Sequence, residues 1–145
     1  LEDEMRKVSN ALYITTDDGS YGEKGFVTDV LKRLIEKDNY DLVIAIGPLP
    51  MMKFVAKTTE EQGIKTIVSL NPIMIDGTGM CGACRLFYDG IIHYACIDGP
   101  EFIGAKVDFD SLIKRMDMYK TIEGRKYLEE IEGDTHHGGC GNCEQ

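Results

Sequence analysis

Between Asp76 and Cys96 the chain gathers three thiols and a carboxylate: Asp76-Gly77-Thr78-Gly79-Met80-Cys81-Gly82-Ala83-Cys84, then Cys96. Two residues between paired cysteines let a tight loop turn both sulfurs toward one metal centre. Four thiolates commonly hold a [2Fe–2S] or [4Fe–4S] cluster, and zinc takes the same ligands. Only three cysteines lie here, so the fourth ligand is open. Asp76, in the same glycine loop, is one candidate and also suits a plain Asp-Gly turn. Asp98 is another, although in Asp98-Gly99-Pro100 a carboxylate commonly caps its own backbone. His93 stands three residues before Cys96, which in a strand turns the two side chains to opposite faces. Cys140 and Cys143 would require the distant tail to fold back. Gly77, Gly79 and Gly82 let the backbone wrap closely enough to aim N–H groups at sulfur, which favours iron–sulfur over zinc.

The elements around this knot must hold it. The chain has 145 residues, with 43% apolar and 28% charged, enough for one domain with a core. Sixteen basic against twenty-five acidic residues leave a net charge of −9, which argues against nucleic acid or an anionic membrane as a main partner. No apolar run approaches the ~20 residues of a membrane span. Five cysteines, four of them in C-x-x-C pairs, read as metal binding in a reducing compartment, and the expected location is the cytoplasm. No signal peptide is read at the start. The opening Leu1-Glu2-Asp3-Glu4 suggests part of a longer polypeptide.

Residues 1–9 read as the end of a helix, and Ala11 to Thr15 as a short strand closed by the turn Asp17-Asp18-Gly19. A helix is expected over 26–37, with Phe26, Val27, Val30, Leu31, Leu34 and Ile35 on one stripe. The apolar run Asp41 to Ile46 suits a parallel strand covered on both faces. Gly47-Pro48-Leu49-Pro50 breaks it. A second helix follows, with Met51, Met52, Val55 and Ala56 inward, then Gly63 and a strand from Lys65 to Ser69. This alternation predicts an open α/β sheet of parallel strands, whose ligands bind at the strands' carboxyl ends. Asp17–Gly22 and Gly47–Met52 fall there. Arg85 to Tyr88, Asp89-Gly90 and Ile91 to Cys96 form a hairpin, and helices are expected at 110–119 and 122–131. The tail carries His136, His137, Cys140 and Cys143 and is expected to be a mobile end rather than a second metal site. No internal repeat is present. The expected division is a sheet region at 1–70, the Cys-rich loop and hairpin at 71–105, helices at 106–132 and a tail at 133–145.

The run Asp-Gly-x-Gly-x-Cys-x-x-Cys resembles the motif Cys-Gly-x-Gly-x-Cys-x-x-Cys…Cys of the electron-transfer subunit of dihydroorotate dehydrogenase, with Asp76 at the first Cys position. It is more similar to the small subunits of the bifurcating NADH-dependent ferredoxin:NADP oxidoreductase, also called sulfide dehydrogenase. Those share Asp-Gly-Thr-Gly-Met-Cys-Gly-Ala-Cys-Arg and Cys-x-Asp-Gly-Pro-Glu-Phe, here at 76–85 and 96–102. The resemblance implies a [2Fe–2S] cluster held by Asp76, Cys81, Cys84 and Cys96. Upstream, Thr15-Thr16-Asp17-Asp18-Gly19-Ser20-Tyr21-Gly22 resembles that family's pyridine-nucleotide domain, and Gly47-Pro48…Met51-Met52 resembles its strand exit beside the nicotinamide. Ile46 stands where many relatives have Cys. The implied nucleotide contacts are Thr16, Asp17, Asp18, Gly19, Ser20, Gly47, Pro48 and Met51. The similarity spans about residues 1–130, and implies that 1–70 is the C-terminal part of a ferredoxin-reductase-like NAD(P)-binding domain. The family's β-barrel flavin domain and its first phosphate loop are not in these residues; the resemblance implies that both precede Leu1.

The expected function follows: an electron-carrying part of a flavin- and nicotinamide-dependent oxidoreductase, incomplete as a catalyst by itself. It would relay electrons between NAD(P)H and FAD and a larger flavin/iron–sulfur partner subunit, with ferredoxin a further expected partner. No residue is assigned as a catalytic acid or base. An aspartate ligand is expected to give the cluster a potential that differs from an all-Cys version and varies with pH. The exposed edge of half a nucleotide domain suggests a homodimer. The alternative is a zinc-stapled α/β interaction module with no redox role.

Overall fold

The computed structural model describes residues 1–117 together with Ile122 and Lys126. Helix α1 spans Glu2–Val8, and Thr15–Thr16 (β1) pairs in parallel with Glu23–Lys24 (β2). The expected strand at 11–15 therefore contributes only its last residue to a ladder. Its partner, β2, has no apolar pattern that would announce it.

Helix α2 covers Val27–Lys37. Its stripe is only half covered. Leu31 packs on the core, but no residue of the helix is fully buried. Strand β3 (Leu42–Ile46), helix α3 (Leu49–Glu61) and strand β4 (Lys65–Ser69) form the expected β–α–β unit, with β3 and β4 parallel in register Leu42↔Lys65 to Ile46↔Ser69. Pro48 and Pro50 stand at the start of α3, where a missing N–H costs nothing. Leu49, Met52, Val55, Ala56 and Thr59 face inward at helical spacing. The buried Thr59 hydroxyl donates to the Val55 carbonyl and accepts from Thr66 of β4, so neither buried hydroxyl is orphaned.

One expectation fails here. Strand β3 is covered on one face only: Ala45 is buried, while Leu42, Ile44 and Ile46 are 43%, 60% and 74% exposed. An apolar run signals burial on both faces only when something packs on each, and among the described residues nothing covers the second.

Strands β5 (Arg85–Tyr88) and β6 (Ile91–Tyr94) make the expected hairpin, and Asp89 and Gly90 both take positive φ at its turn. The second strand ends at Tyr94. Ala95–Asp98 is a short helical turn (α4), so Cys96 does not lie on a strand and the opposite-face argument for His93 loses its premise. Strand β7 (Glu101–Ile103), not foreseen, pairs antiparallel with β4, giving the order β3-β4-β7. A 3-10 turn at Gly104–Lys106 leads to helix α5, Phe109–Met116. The core joins α3, α5, the sheet and the hairpin through Met52, Val68, Cys84, Leu86, Ala95, Phe102 and Leu112. The fold is thus mixed α/β with a parallel pair at its centre. Of the helix expected at 122–131 only Ile122 and Lys126 are described, and both are helical; the tail with His136, His137, Cys140 and Cys143 lies outside the described residues. No helix among the described residues is long and apolar enough to cross a membrane.

Candidate metal centre

The loop from Asp76 to Cys84 is shaped by its own aspartate. Asp76 Oδ1 accepts the Thr78 N–H and Oδ2 accepts the Cys81 N–H, each at 2.8 Å. The carboxyl is held below the ordinary carboxylate range, chiefly by the Thr78 N–H and further by the Cys81 N–H. An ionised carboxylate offers about four lone-pair sites, so two remain for a cation. The turn role and the ligand role are compatible at this residue.

Gly77, Gly79 and Gly82 all adopt positive φ. At Gly79 the need is also steric, because a Cβ would stand 2.0 Å from Ile97 Cδ1. Its N–H instead lies against the Cys96 sulfur. On the other side of the loop, the Ala83 N–H points at Cys81 Sγ, 3.5 Å away.

Cys84 is buried at 2% exposure, Cys96 is half-buried and Cys81 is exposed. Cys84 Sγ and Cys96 Sγ stand 3.3 Å apart. The Cys96 thiol is pushed up, first by its hydrogen bond with Cys84, then by desolvation and the Cys84 charge; Asp76 adds to the rise and the Gly79 N–H opposes it. Two adjacent thiols resist ionising together unless a cation lies between them. The four donors sort into two pairs: Cys84 with Cys96, and Asp76 with Cys81, whose thiol and N–H both bond the carboxylate. Among the described residues, no three His, Cys, Asp or Glu side chains converge on one point as a single ion requires. Two donor pairs, with backbone N–H groups turned to two of the sulfurs, are the arrangement the loop offers, and N–H groups aimed at ligand sulfur are a feature that tunes iron–sulfur centres.

Two of the other candidates for fourth ligand, His93 and Asp98, make contacts with each other and with neighbouring groups, while Cys140 and Cys143 lie outside the described residues. His93 Nδ1 is 3.4 Å from Asp98 Oδ2, and its ring meets Tyr88 edge-on. Asp98 Oδ2 also accepts the Tyr94 N–H at 2.7 Å, capping its own turn. Sequence reasoning missed Arg115 of α5. Its Nη2 donates to the Gly82 carbonyl at 3.0 Å, and its Nε approaches the Ala83 carbonyl at 3.4 Å. No local pattern announces a contact across more than thirty residues.

The nucleotide candidates form two separate groups. Thr16 Oγ1 donates to the Tyr21 carbonyl, and Asp18 Oδ1 accepts the Ser20 N–H at 2.9 Å, so Thr16, Asp18 and Ser20 hold their own turn, which contains Asp17 and the positive-φ Gly19. Gly47 and Pro48 link β3 to α3, where a Cβ on Gly47 would stand 2.8 Å from Met51 Cε. Among the described residues no hydrogen bond joins the two groups. The β1–β2 ladder is also separate from the sheet that contains β3.

Comparison with known proteins matches the site. Residues 71–108 match the iron–sulfur cluster binding domain of dihydroorotate dehydrogenase B. An uncharacterised Clostridium beijerinckii protein is 54% identical over 97% of this chain and 48% of its own length. A Thermotoga maritima protein described as a homolog of the dihydroorotate dehydrogenase B (NAD(+)) electron transfer subunit is 50% identical, over 86% of this chain and 44% of its own. The solved structure of an NADH-dependent reduced ferredoxin-NADP oxidoreductase aligns with TM-score 0.78 and 47% identity, covering 89% of this chain and 46% of its own. This chain spans about half the length of the relatives it matches. It is thus a relative, over most of its length, of dihydroorotate dehydrogenase B electron-transfer subunits, with that family's iron–sulfur cluster binding domain matched at residues 71–108.

Proposed function

We propose that this chain is the cluster-bearing part of an iron–sulfur flavoprotein oxidoreductase subunit, held ready to pass electrons to a partner. The supporting observation is the pairing of donors in one glycine-shaped loop: Cys84 with Cys96 at 3.3 Å, and Asp76 with Cys81. In this reading Cys81, Cys84 and Cys96 supply thiolates and Asp76 a carboxylate oxygen to a [2Fe–2S] cluster. When bound, such a cluster takes up and gives back one electron at a time. The chain's own residues do the rest. Burial of Cys84 keeps water from one edge, the Gly79 and Ala83 N–H groups stabilise charge on two sulfurs, and the Asp76 carboxylate holds the loop closed.

In the longer protein, residues 1–70 would form the C-terminal part of an NAD(P)-binding domain. Thr16, Asp17, Asp18, Gly19 and Ser20 would contact nucleotide at the end of β1, and Gly47, Pro48 and Met51 at the end of β3, with FAD bound elsewhere. The partner would be a larger flavin/iron–sulfur oxidoreductase subunit in the cytoplasm, with NAD(P)H and ferredoxin as further reactants. The relatives described as electron transfer subunits support this assignment.

The test is anaerobic purification of the full-length protein. The expected product is brown, contains iron and acid-labile sulfide near two each per chain, and gives a paramagnetic signal on reduction. Colourless protein with stoichiometric zinc and no labile sulfide overturns the reading and selects a zinc-stapled interaction module.

A further inference from the structure

Helix α5 is fixed before it reaches the metal loop. Asp108 caps its first turn, accepting the Ser111 N–H at 3.0 Å and the Ser111 hydroxyl at 2.6 Å. Asp110 pairs with Lys53 of α3 at 2.6 Å, and Leu112 is buried in the shared core. Arg115, one turn on from Leu112, is thereby presented to the C-x-x-C loop. Its guanidinium donates to the carbonyl of Gly82 and approaches that of Ala83, the two residues between Cys81 and Cys84.

A trans peptide unit is planar, with its C=O and N–H pointing in opposite directions. The Gly82–Ala83 unit has its carbonyl on Arg115 Nη2 and its N–H toward Cys81 Sγ. One peptide therefore bridges the guanidinium to a thiol, and a cation at the carbonyl end polarises the N–H at the other. The planar fork of arginine can serve both carbonyls, which the ammonium of lysine cannot do with fixed geometry.

We propose that Arg115 is a positioning residue of the cluster site: by clamping Gly82 and Ala83 it aims and strengthens the Ala83 N–H toward Cys81 and so raises the reduction potential of the centre held there. The inference rests on the iron–sulfur reading above. Hydrogen bonds to ligand sulfur favour the reduced, more negative state, so loss of the clamp lowers the potential.

The experiment compares wild type, Arg115→Met, Arg115→Lys and Lys114→Met in the full-length protein, by potentiometric titration of the iron centre. Arg115→Met is expected to move the one-electron reduction equilibrium three- to tenfold toward the oxidised state, about 30–60 mV at 59 mV per decade. Arg115→Lys should fall between, and Lys114→Met, which removes a neighbouring exposed charge that does not touch the loop, should stay at wild type. An unchanged potential in Arg115→Met overturns the proposal. So does an equal fall in Lys114→Met, because distant charge alone would then suffice. If Arg115→Met fails to retain iron, a wild-type potential in Arg115→Lys overturns the two-carbonyl clamp. Amide hydrogen exchange on iron-free protein supplies a reading independent of the metal: the Ala83 N–H should exchange several-fold faster in Arg115→Met than in wild type or Lys114→Met. Equal exchange rates count against the clamp itself, whereas wild type that binds no iron counts only against the iron–sulfur reading.

Discussion

The loops at 16–22 and 76–84 use the same local device for different ends. In each, an aspartate accepts the N–H of the residue two places on: Asp18 from Ser20 at 2.9 Å, and Asp76 from Thr78 at 2.8 Å. In each, glycines at positive φ make the turn that the carboxylate closes. They differ in what reaches them from afar. Tyr21 of the first loop bonds Glu2 of α1, an exposed contact on a helix with no buried residue. The second is held by Arg115 from α5, by Ile97 packed where a Gly79 Cβ would stand, and by Cys96 against the buried Cys84. Turn chemistry sets the shape of both loops, and tertiary contacts bring distant thiols together at only one of them.

Substitutions at matched positions break the comparison. The largest effect is expected for Cys84→Ala, which removes the buried member of the sulfur pair: iron content of anaerobically purified protein should fall to background. A fully loaded Cys84→Ala protein would end the proposed ligand set.

Next, Asp76→Ala and Asp18→Ala delete the same turn acceptor. The first should lose most of its iron and the second none, read by metal analysis on both. Equal iron in the two would reduce Asp76 to a turn residue. Asp76→Cys should restore iron with a shifted potential that no longer varies with pH, because thiolate replaces the protonatable oxygen.

Gly79→Ala and Gly19→Ala each force an L side chain into left-handed backbone, costing about 1–2 kcal/mol. Denaturant midpoints should drop by similar amounts, while only Gly79→Ala should slow iron uptake, since its Cβ also displaces Ile97. Impaired uptake in Gly19→Ala would mean that the two loops are coupled.

The smallest effect concerns the platform beneath Arg115. Asp108→Ala removes the cap of α5 and should cost about 1 kcal/mol. The Asp108 carboxyl is held below its ordinary value by its bonds to Ser111. A depressed folded value gives stability that is present above the unfolded value and lost as pH falls through the folded one. Thermal melts of wild type should therefore weaken below about pH 4. The Asp108→Ala melts should lack that share of the acid response; an identical acid limb in the two would remove Asp108 from the account.

Much of the fold was legible where a residue acts on its neighbours. The β3–α3–β4 unit follows from apolar runs and helical spacing, Pro48 and Pro50 mark the start of α3, and the Asp89-Gly90 turn sets the hairpin. The misreadings arise where distant segments decide. Strand β3 reads as doubly covered because an apolar run does not record what packs on each face, and among the described residues only one face is covered. Ile91 to Cys96 reads as the second arm of an Asp-Gly hairpin, yet the strand stops at Tyr94 and the chain turns into α4. Strand β7 carries only three residues and exists through its pairing with β4.

The sequence alone determined the chemistry on offer: three thiols, a carboxylate and the glycines that let one short loop carry them. These are local properties, since donor type and allowed φ belong to each residue. Tertiary structure decided how the donors pair and what braces them. Cys96 meets Cys84 because the hairpin folds back, and Arg115 meets Gly82 and Ala83 because α5 docks on α3. Such contacts form between residues distant along the chain, where burial and shape rather than spacing choose the partner.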